Sequence, residues 1–183
     1  MAVRTIRIYG DPVLRAKAVP VNEFDSTLER LVEDMRDTLT AYHGVGLAAN
    51  QIGVLQRVLL VDVPLDDQHR AQYTLVNPVV LQRSGSESGE EGCLSIPGIY
   101  EDVSRSQRLR VKALDLHGHA IELEAEGYLA RAIEHEIDHL DGVLFVDRLS
   151  PLRRQFLRRP LEALARGEMP DGYEPPVTHG GLR

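Results

Sequence analysis

Residues 134 to 142 read Glu-His-Glu-Ile-Asp-His-Leu-Asp-Gly and contain an H-E-x-x-H unit formed by His135, Glu136 and His139. Positions i and i+4 of a helix lie on the same face, so both imidazoles can bind one metal ion while Glu136 lies beside it. We therefore predict a helix that carries a metal site. This geometry is typical of metal-dependent hydrolases.

The residues that precede the motif favour an inward-facing site. Tyr128 and Ala132 continue the stripe of His135 and His139 at helical spacing, so we expect the histidines to extend an apolar face that points into the protein. Buried imidazoles need polar partners, and a metal ion would supply one. The alternative is a solvated helix face on which histidine and glutamate recur by chance.

Two histidines need at least one further protein ligand, and the sequence offers two candidates. The metzincin pattern fails, because Phe145 stands where its third histidine is required. A thermolysin-like site would use Glu162, which lies in a second predicted helix. The other candidate is Cys93, the only cysteine of the chain. Its thiolate would complete a His₂Cys set with an open fourth position, although a lone cysteine can also be a small buried hydrophobe.

Three separated segments resemble those of the peptide deformylases of bacteria and organelles. They are residues 44–51 (Gly-Val-Gly-Leu-Ala-Ala-Asn-Gln), residues 91–95 (Glu-Gly-Cys-Leu-Ser) and residues 135–139 (His-Glu-Ile-Asp-His). Their order and spacing also fit, and the similarity extends over about residues 8–147. We therefore expect an α+β fold in which strands surround a central helix that carries the H-E-x-x-H motif, with a C-terminal helix after it.

The resemblance implies a role for each matching residue. The metal ligands would be Cys93, His135 and His139. Glu136 would be the general acid and base, while the side-chain amide of Gln51 and the backbone N–H of Leu94 would donate to the oxyanion. In this family the ion is typically ferrous iron in the cell, and zinc, nickel or cobalt can occupy the same site.

The resemblance also implies the substrate, a formyl-methionyl nascent polypeptide whose N-formyl group is released as formate. The peptide would lie extended against residues 44–51, with Gly46 lining the cleft. The walls of the methionine pocket would be Val45, Tyr128 and Ala132. Two rival hypotheses remain, a peptidase that uses Glu162 as a ligand and a structural module with a closed metal site.

Two further expectations concern residues around the motifs. Glu91 and Arg105 occupy positions where family members often form an ion pair near the cysteine loop. Glu134 stands where the family usually has glutamine. Because Glu134 should face away from the ligands, we expect this glutamate to change the residues that surround the ligands, or the protein surface, without loss of activity.

Composition is consistent with one enzyme domain. With 183 residues and 43% apolar content, the chain can bury a substantial core, and we assign residues 1–166 to a single catalytic domain. A net charge of −7 argues against general nucleic-acid binding. A single cysteine fits a reducing compartment, and no apolar run predicts a signal peptide or a membrane helix, so we expect a cytoplasmic protein without membrane contact.

Hydrophobic periodicity predicts several elements. A first helix should cover residues 24–41, with Asp25 or Ser26 as its cap. The predicted strands cover residues 57–63, 73–81 and 109–123, the last as a hairpin. His117 and His119 flank the glycine of that hairpin turn, and we predict no metal role for them. Loop or surface positions are also predicted for His43, His69 and His179.

The amino-acid composition of the chain changes after residue 147. Residues 151–166 form a basic amphipathic segment interrupted by Pro160. Its arginines are Arg153, Arg154, Arg158, Arg159 and Arg166, and its apolar residues are Leu152, Phe156, Leu157, Leu161 and Leu164. We expect a helix that packs its apolar side on the domain; the alternative is a docking surface for the ribosome, as in some deformylases. Residues 167–183, rich in Pro and Gly, are expected to be disordered.

Overall fold

The first long helix forms where the periodicity predicts it. In the computed structural model, which describes residues 2–66 and 68–176, α1 covers Ser26–Ala41. Asp25 is its cap, because the carboxylate accepts hydrogen bonds from the backbone N–H groups of Thr27 (2.9 Å) and Leu28 (3.2 Å). These bonds lower the pKa of Asp25. The apolar face of α1 is buried through Leu28, Val32, Met35 and Leu39.

Five antiparallel strands form the main sheet, in the spatial order β1-β2-β3-β6-β7. They are β1 (Gly46–Ala48), β2 (Val58–Pro64), β3 (Arg70–Ser84), β6 (Arg108–Leu114) and β7 (Ala120–Glu126). The predicted strands and the predicted hairpin are confirmed, although β3 is longer than expected. Because β1 pairs only with β2 among the strands of residues 2–66 and 68–176, its other side is an edge of the sheet.

The other two strands form a separate hairpin that the sequence did not predict. β4 (Glu87–Cys93) pairs with β5 (Ile96–Arg105), and the register shifts between Glu91 and Cys93. The sequence of β4 is Glu-Ser-Gly-Glu-Glu-Gly-Cys, which lacks the alternation of apolar residues that indicates a strand. The hairpin places Cys93 at the end of a strand, immediately before the turn.

The motif helix α2 (Gly127–Leu140) is buried from Leu129 to its last residue and packs on β1, β2 and the hairpin. The α+β fold with a central helix is thereby confirmed. Ala132, His135 and His139 face inward as expected. Tyr128 does not, because it lies in the first turn of α2, where its ring remains 51% exposed.

The C-terminal helix α3 covers Pro151–Ala165. The prediction that Pro160 interrupts it is wrong. The residue four positions before it, Phe156, is 68% exposed, so water can replace the hydrogen bond that proline cannot donate. The helix packs as expected through Leu157, Leu161 and Leu164, whereas Leu152 is 62% exposed.

The chain beyond α3 is described as far as residue 176. Gly167 ends the helix at a φ of +83°, and the following residues reach the cleft described below. The boundary of the predicted domain at residue 166 and the predicted disorder after it remain predictions. Residues 177–183, including His179, lie outside the described residues.

Within residues 2–66 and 68–176, no helix is long and apolar enough to cross a membrane.

Candidate metal centre

Three side chains converge beside α2. A sulfur or nitrogen atom from each of Cys93, His135 and His139 lies within 4.8 Å of the others, and Cys93 Sγ is 3.1 Å from His139 Nε2. Among residues 2–66 and 68–176, this is the one group of three or more His, Cys, Asp or Glu side chains with that spacing. The hairpin contributes the cysteine and α2 contributes both histidines.

The donor set fits a divalent metal ion. A tetrahedral ion with sulfur and nitrogen ligands holds its donor atoms about 3.5 Å apart, close to the spacing of these side chains. Burial lowers the pKa of His139 well below its usual value, so its imidazole is neutral, which is the form that binds metals. The pKa of His135 is instead raised well above its usual value. Burial acts to lower it, but hydrogen bonds with Cys93 and Glu91 outweigh burial.

Glu91 orients the first histidine. Its carboxylate accepts a hydrogen bond from Nδ1 of His135 (2.9 Å), which leaves Nε2 for the ligand side. Arg105 binds both carboxylate oxygens at 2.8 and 3.0 Å, so the expected ion pair is present. Burial raises the pKa of Glu91, but the bonds from His135 and Arg105 outweigh it and hold the pKa at about 2. The carboxylate is therefore charged at neutral pH.

Sequence reasoning missed two partners of this network. Arg131, one turn before His135, donates to Glu91 at 2.8 Å and to the carbonyl oxygen of Val103 at 2.8 Å. Asp138 accepts from Arg105 (2.5 Å) and from Arg148. Arg131 and Asp138 both lie on buried turns of α2, where a charged side chain needs a partner. That need for a partner was the signal in the sequence that could have revealed them.

Glu136 is buried beside the ligands and has an unused oxygen. Its Oε2 atom is inaccessible to solvent and has no hydrogen-bond partner among residues 2–66 and 68–176. Burial is the main reason that the pKa of Glu136 is raised to about 7. Gly46 lies directly against it, since a Cβ atom there would be 3.0 Å from Glu136 Cγ. The glycine therefore leaves room for the carboxylate.

Gln51 directs its amide nitrogen toward the same site. Its Oε1 accepts a hydrogen bond from the backbone N–H of Ala48 (2.8 Å), so Nε2 points toward Cys93 Sγ (3.6 Å) and Ser95 Oγ (3.2 Å). Gln51 is 1% exposed and belongs to a short 3₁₀ helix, Ala49–Ile52. Leu94 lies in the turn between β4 and β5, directly after the cysteine.

A cleft of about 640 Å³ opens onto these groups. The predicted substrate residues all line it, namely Val45, Gly46, Tyr128 and Ala132. Cys93, His135, Glu136 and Gln51 line the same cleft. His43, which has a φ of +53° in a loop, also lines it, as do residues after α3 that the sequence did not connect with the site.

Glu134 faces away from the ligands, as expected, but it is not a surface residue. It is 7% exposed, and its carboxylate accepts hydrogen bonds from Arg83 Nε (2.8 Å), from the backbone N–H of Ser106 (2.8 Å) and from Ser106 Oγ (3.0 Å). It thereby connects α2 to β3 and to the segment between β5 and β6. A buried carboxylate with three donors stabilises this junction.

The other candidate ligands lie elsewhere. Glu162 is exposed on α3 and pairs with Arg158, so the hypothesis that it completes the site is wrong. Phe145 stacks near the ring of His135, with ring centroids 6.2 Å apart. His119 is exposed in the β6–β7 turn, where it pairs with Asp115.

Comparison with known proteins agrees with this geometry. The family model described as polypeptide deformylase matches residues 3–155. The chain belongs to the peptide deformylase family. The activity of that family is metal-dependent hydrolysis that removes the N-formyl group. The fold and the metal-capable site of this deformylase therefore agree with its sequence motifs.

Relatives match this deformylase over nearly their full length. The peptide deformylase of Alkalilimnicola ehrlichii is 51% identical over 166 residues, which cover 91% of this chain and 93% of that protein. The crystal structure of a peptide deformylase from Legionella pneumophila has a TM-score of 0.83 and 45% identity, covering 92% of this chain and all of that one. The deformylase of Ehrlichia chaffeensis in complex with actinonin has a TM-score of 0.85 and 35% identity, covering 93% of this chain and 100% of that one.

Proposed function

We propose that this chain is a deformylase that removes the formyl group from the N-terminal methionine of newly synthesised proteins, with formate as the second product. The observation that carries the proposal is the open cleft lined by Cys93, His135, Glu136 and Gln51, with His139 buried directly behind it in the same ligand group. A structural module with a closed site would have no such cleft.

We propose Cys93, His135 and His139 as the ligands of one divalent ion, ferrous iron in the cell, with zinc, nickel or cobalt able to substitute. Such an ion lowers the pKa of a water molecule and polarises a carbonyl group. His₂Cys is a donor set that leaves the fourth position to water or substrate. The Glu91 network supports this assignment, since it holds His135 in the tautomer that a ligand requires.

Glu136 is the proposed general base and acid. Its raised pKa, about 7, suits a group that must accept a proton and return it near neutral pH. It takes a proton from the attacking water, and a bond forms between that water oxygen and the formyl carbon. When the C–N bond breaks, the proton passes to the departing amine, which would otherwise be a poor leaving group.

Gln51 and Leu94 are the proposed donors to the oxyanion. The amide nitrogen of Gln51 is fixed in direction by the bond between Oε1 and Ala48, so it needs no reorganisation during the reaction. The backbone N–H of Leu94 belongs to the turn directly after Cys93. Removal of one such donor typically reduces the rate about 100-fold to 1000-fold.

The edge of the main sheet supports an extended substrate. Within the described part of the chain, one side of β1 carries no neighbouring strand, so a formyl-methionyl peptide can pair with the backbone around Gly46 as an added strand. Val45, Tyr128 and Ala132 are the proposed walls of the methionine pocket, and each lines the cleft.

Formate release from a formyl-Met-Ala-Ser peptide tests the proposal. The protein is prepared without oxygen, loaded with ferrous or nickel ion, and compared with a chelated sample. We expect metal-dependent formate and its inhibition by actinonin, which is bound by the Ehrlichia chaffeensis enzyme. Fully metallated protein that releases no formate would refute the proposed reaction.

We further propose that the enzyme acts in the cytoplasm and that α3 contacts the ribosome. Leu152 and Phe156 are exposed on this helix among its arginines, a combination that suits a surface with both anionic and apolar parts. Co-sedimentation with ribosomes at two salt concentrations, with Phe156→Ala for comparison, tests the contact. Binding that is equally strong without Phe156 would argue against this surface.

A further inference from the structure

Residues 168–176, which we call the C-terminal strap, return from the end of α3 to the cleft. The backbone N–H of Glu168 bonds to the carbonyl oxygen of Ala163 (3.0 Å), and Gly172 has a φ of +77° in a turn closed by a bond from Tyr173 N to the Pro170 oxygen (3.1 Å). These local bonds give the strap a defined path although it belongs to no helix or strand.

Two strap residues lie beside residues that line the cleft. Pro170 packs on Gly98 of β5, since a Cβ atom there would be 3.0 Å from Pro170 Cγ. Tyr173 lies close to Tyr42, which follows α1. Burial raises the pKa of Tyr173, with a contribution from Tyr42, so the hydroxyl is protonated at neutral pH and can donate a hydrogen bond.

Three strap residues border the same cavity as Cys93 and Glu136, namely Tyr173, Glu174 and Pro176. The cavity still measures about 640 Å³ with the strap in place, so the strap borders the cleft and does not fill it. The residues beside the strap, Tyr42 and Gly98, also line the cleft, whereas two proposed walls of the methionine pocket, Tyr128 and Ala132, belong to α2.

We propose that the C-terminal strap is a wall of the peptide-binding cleft and that Tyr173 contacts the substrate beyond its formyl-methionine. The inference rests on the proposed function and adds a specificity-determining residue to it. A half-buried aromatic ring with a hydroxyl donor suits contact with a peptide, because it offers apolar area and a polar tip together. A substrate that ends at methionine would not reach it.

Fluorescence tests the contact directly, since the chain contains no tryptophan. Tyr173→Trp places one fluorophore on the strap, and Met169→Trp places one on a strap residue that does not line the cleft. Metal-loaded protein is titrated with the product peptide Met-Ala-Ser, and binding is measured in parallel by calorimetry. We expect a saturable emission change for Tyr173→Trp at the calorimetric midpoint and none for Met169→Trp.

Kinetics test the consequence for catalysis. We compare the full chain with its Tyr173→Ala variant and with a chain that ends at Gly167. For formyl-Met-Ala-Ser, KM should rise about fivefold in both variants, as for the loss of roughly one aromatic contact, while kcat is unchanged. For formyl-methionine alone, both variants should match the full chain.

Each result has a defined meaning. An unchanged KM, or a KM that falls because the strap had obstructed the cleft, would overturn the inference. So would calorimetric binding without a change in Tyr173→Trp emission. If no variant and no full chain releases formate, the proposed function fails instead, and calorimetry shows separately whether the peptide still occupies the cleft.

Discussion

At the scale of single residues, the proposed roles of metal binding and proton transfer belong to different side chains. Cys93 lies at the end of β4 and offers its sulfur atom to the candidate ligand group. Glu136 comes from α2, and its burial against Gly46 raises its pKa to about 7 without bringing it into the ligand group. The two side chains can therefore be removed independently, and the losses should differ in kind.

Cys93→Ala should lose both bound metal and activity, because two histidines alone leave the ion underligated. Glu136→Gln should keep the metal while kcat falls by about 10²–10⁴-fold, the usual contribution of a general acid or base. Metal content by elemental analysis and formate release on the same samples check both. Full metal occupancy in Cys93→Ala would contradict the ligand assignment.

Glu134 gives a second prediction at this scale. Glu134→Gln replaces one acceptor of the bonds from Arg83 and Ser106 by an amide, so unfolding should become easier by about 1 kcal/mol. This corresponds to a fall in Tm of roughly 2–4 °C for a chain of this size. Metal content and kcat should be unchanged, because the residue faces away from the ligands.

The control for Glu134 is Glu126→Gln. Glu126 pairs with Arg108 at 3.0 Å, but both side chains are more than half exposed, and exposed pairs contribute little. Its Tm should stay close to that of the parent protein. An equal decrease in Tm for Glu134→Gln and Glu126→Gln would mean that burial does not increase the contribution of Glu134 to stability.

At the scale of elements, periodicity predicted the structure wherever one face is apolar. α1 and the β6–β7 hairpin fall where their apolar periodicity predicts them, and α2 falls where the H-E-x-x-H motif predicts a helix, although it is buried on every side from Leu129 to Leu140. β4 was missed because its sequence is mostly Glu, Ser and Gly. The ligand motifs were visible in the sequence, whereas the Arg131 bonds and the strap contacts depend on tertiary packing that no local pattern records.

The two halves of α3 should differ in their effect on stability. Leu161 is 7% exposed and belongs to the core cluster with Phe145, so Leu161→Ala should cost about 2–5 kcal/mol. Phe156 is 68% exposed, and Phe156→Ala should change the free energy of unfolding by less than about 0.5 kcal/mol. Urea denaturation followed by circular dichroism measures both. A large loss for Phe156→Ala would mean that the first half of α3 is packed in solution.

At the scale of the whole molecule, the candidate ligands connect two parts of the fold. The β4–β5 hairpin forms its own sheet and provides Cys93, while α2 packs on the main sheet and provides both histidines. The Glu91 network joins the same two parts, because Arg105 of β5 and Arg131 of α2 both donate to the Glu91 carboxylate. A bound ion would therefore add a second connection between hairpin and helix, independent of the first.

Removal of the metal should lower stability through that connection. An ion present at a hundred times its dissociation constant stabilises the folded state by about 2.7 kcal/mol, provided that the unfolded chain does not bind it. For a chain of this length the Tm of chelated protein should fall by roughly 5–10 °C. Calorimetry with and without chelator measures the difference, and Cys93→Ala is the control, because chelation should no longer change its Tm. Equal Tm values for metallated and chelated parent protein would show that the ion does not couple the hairpin to α2.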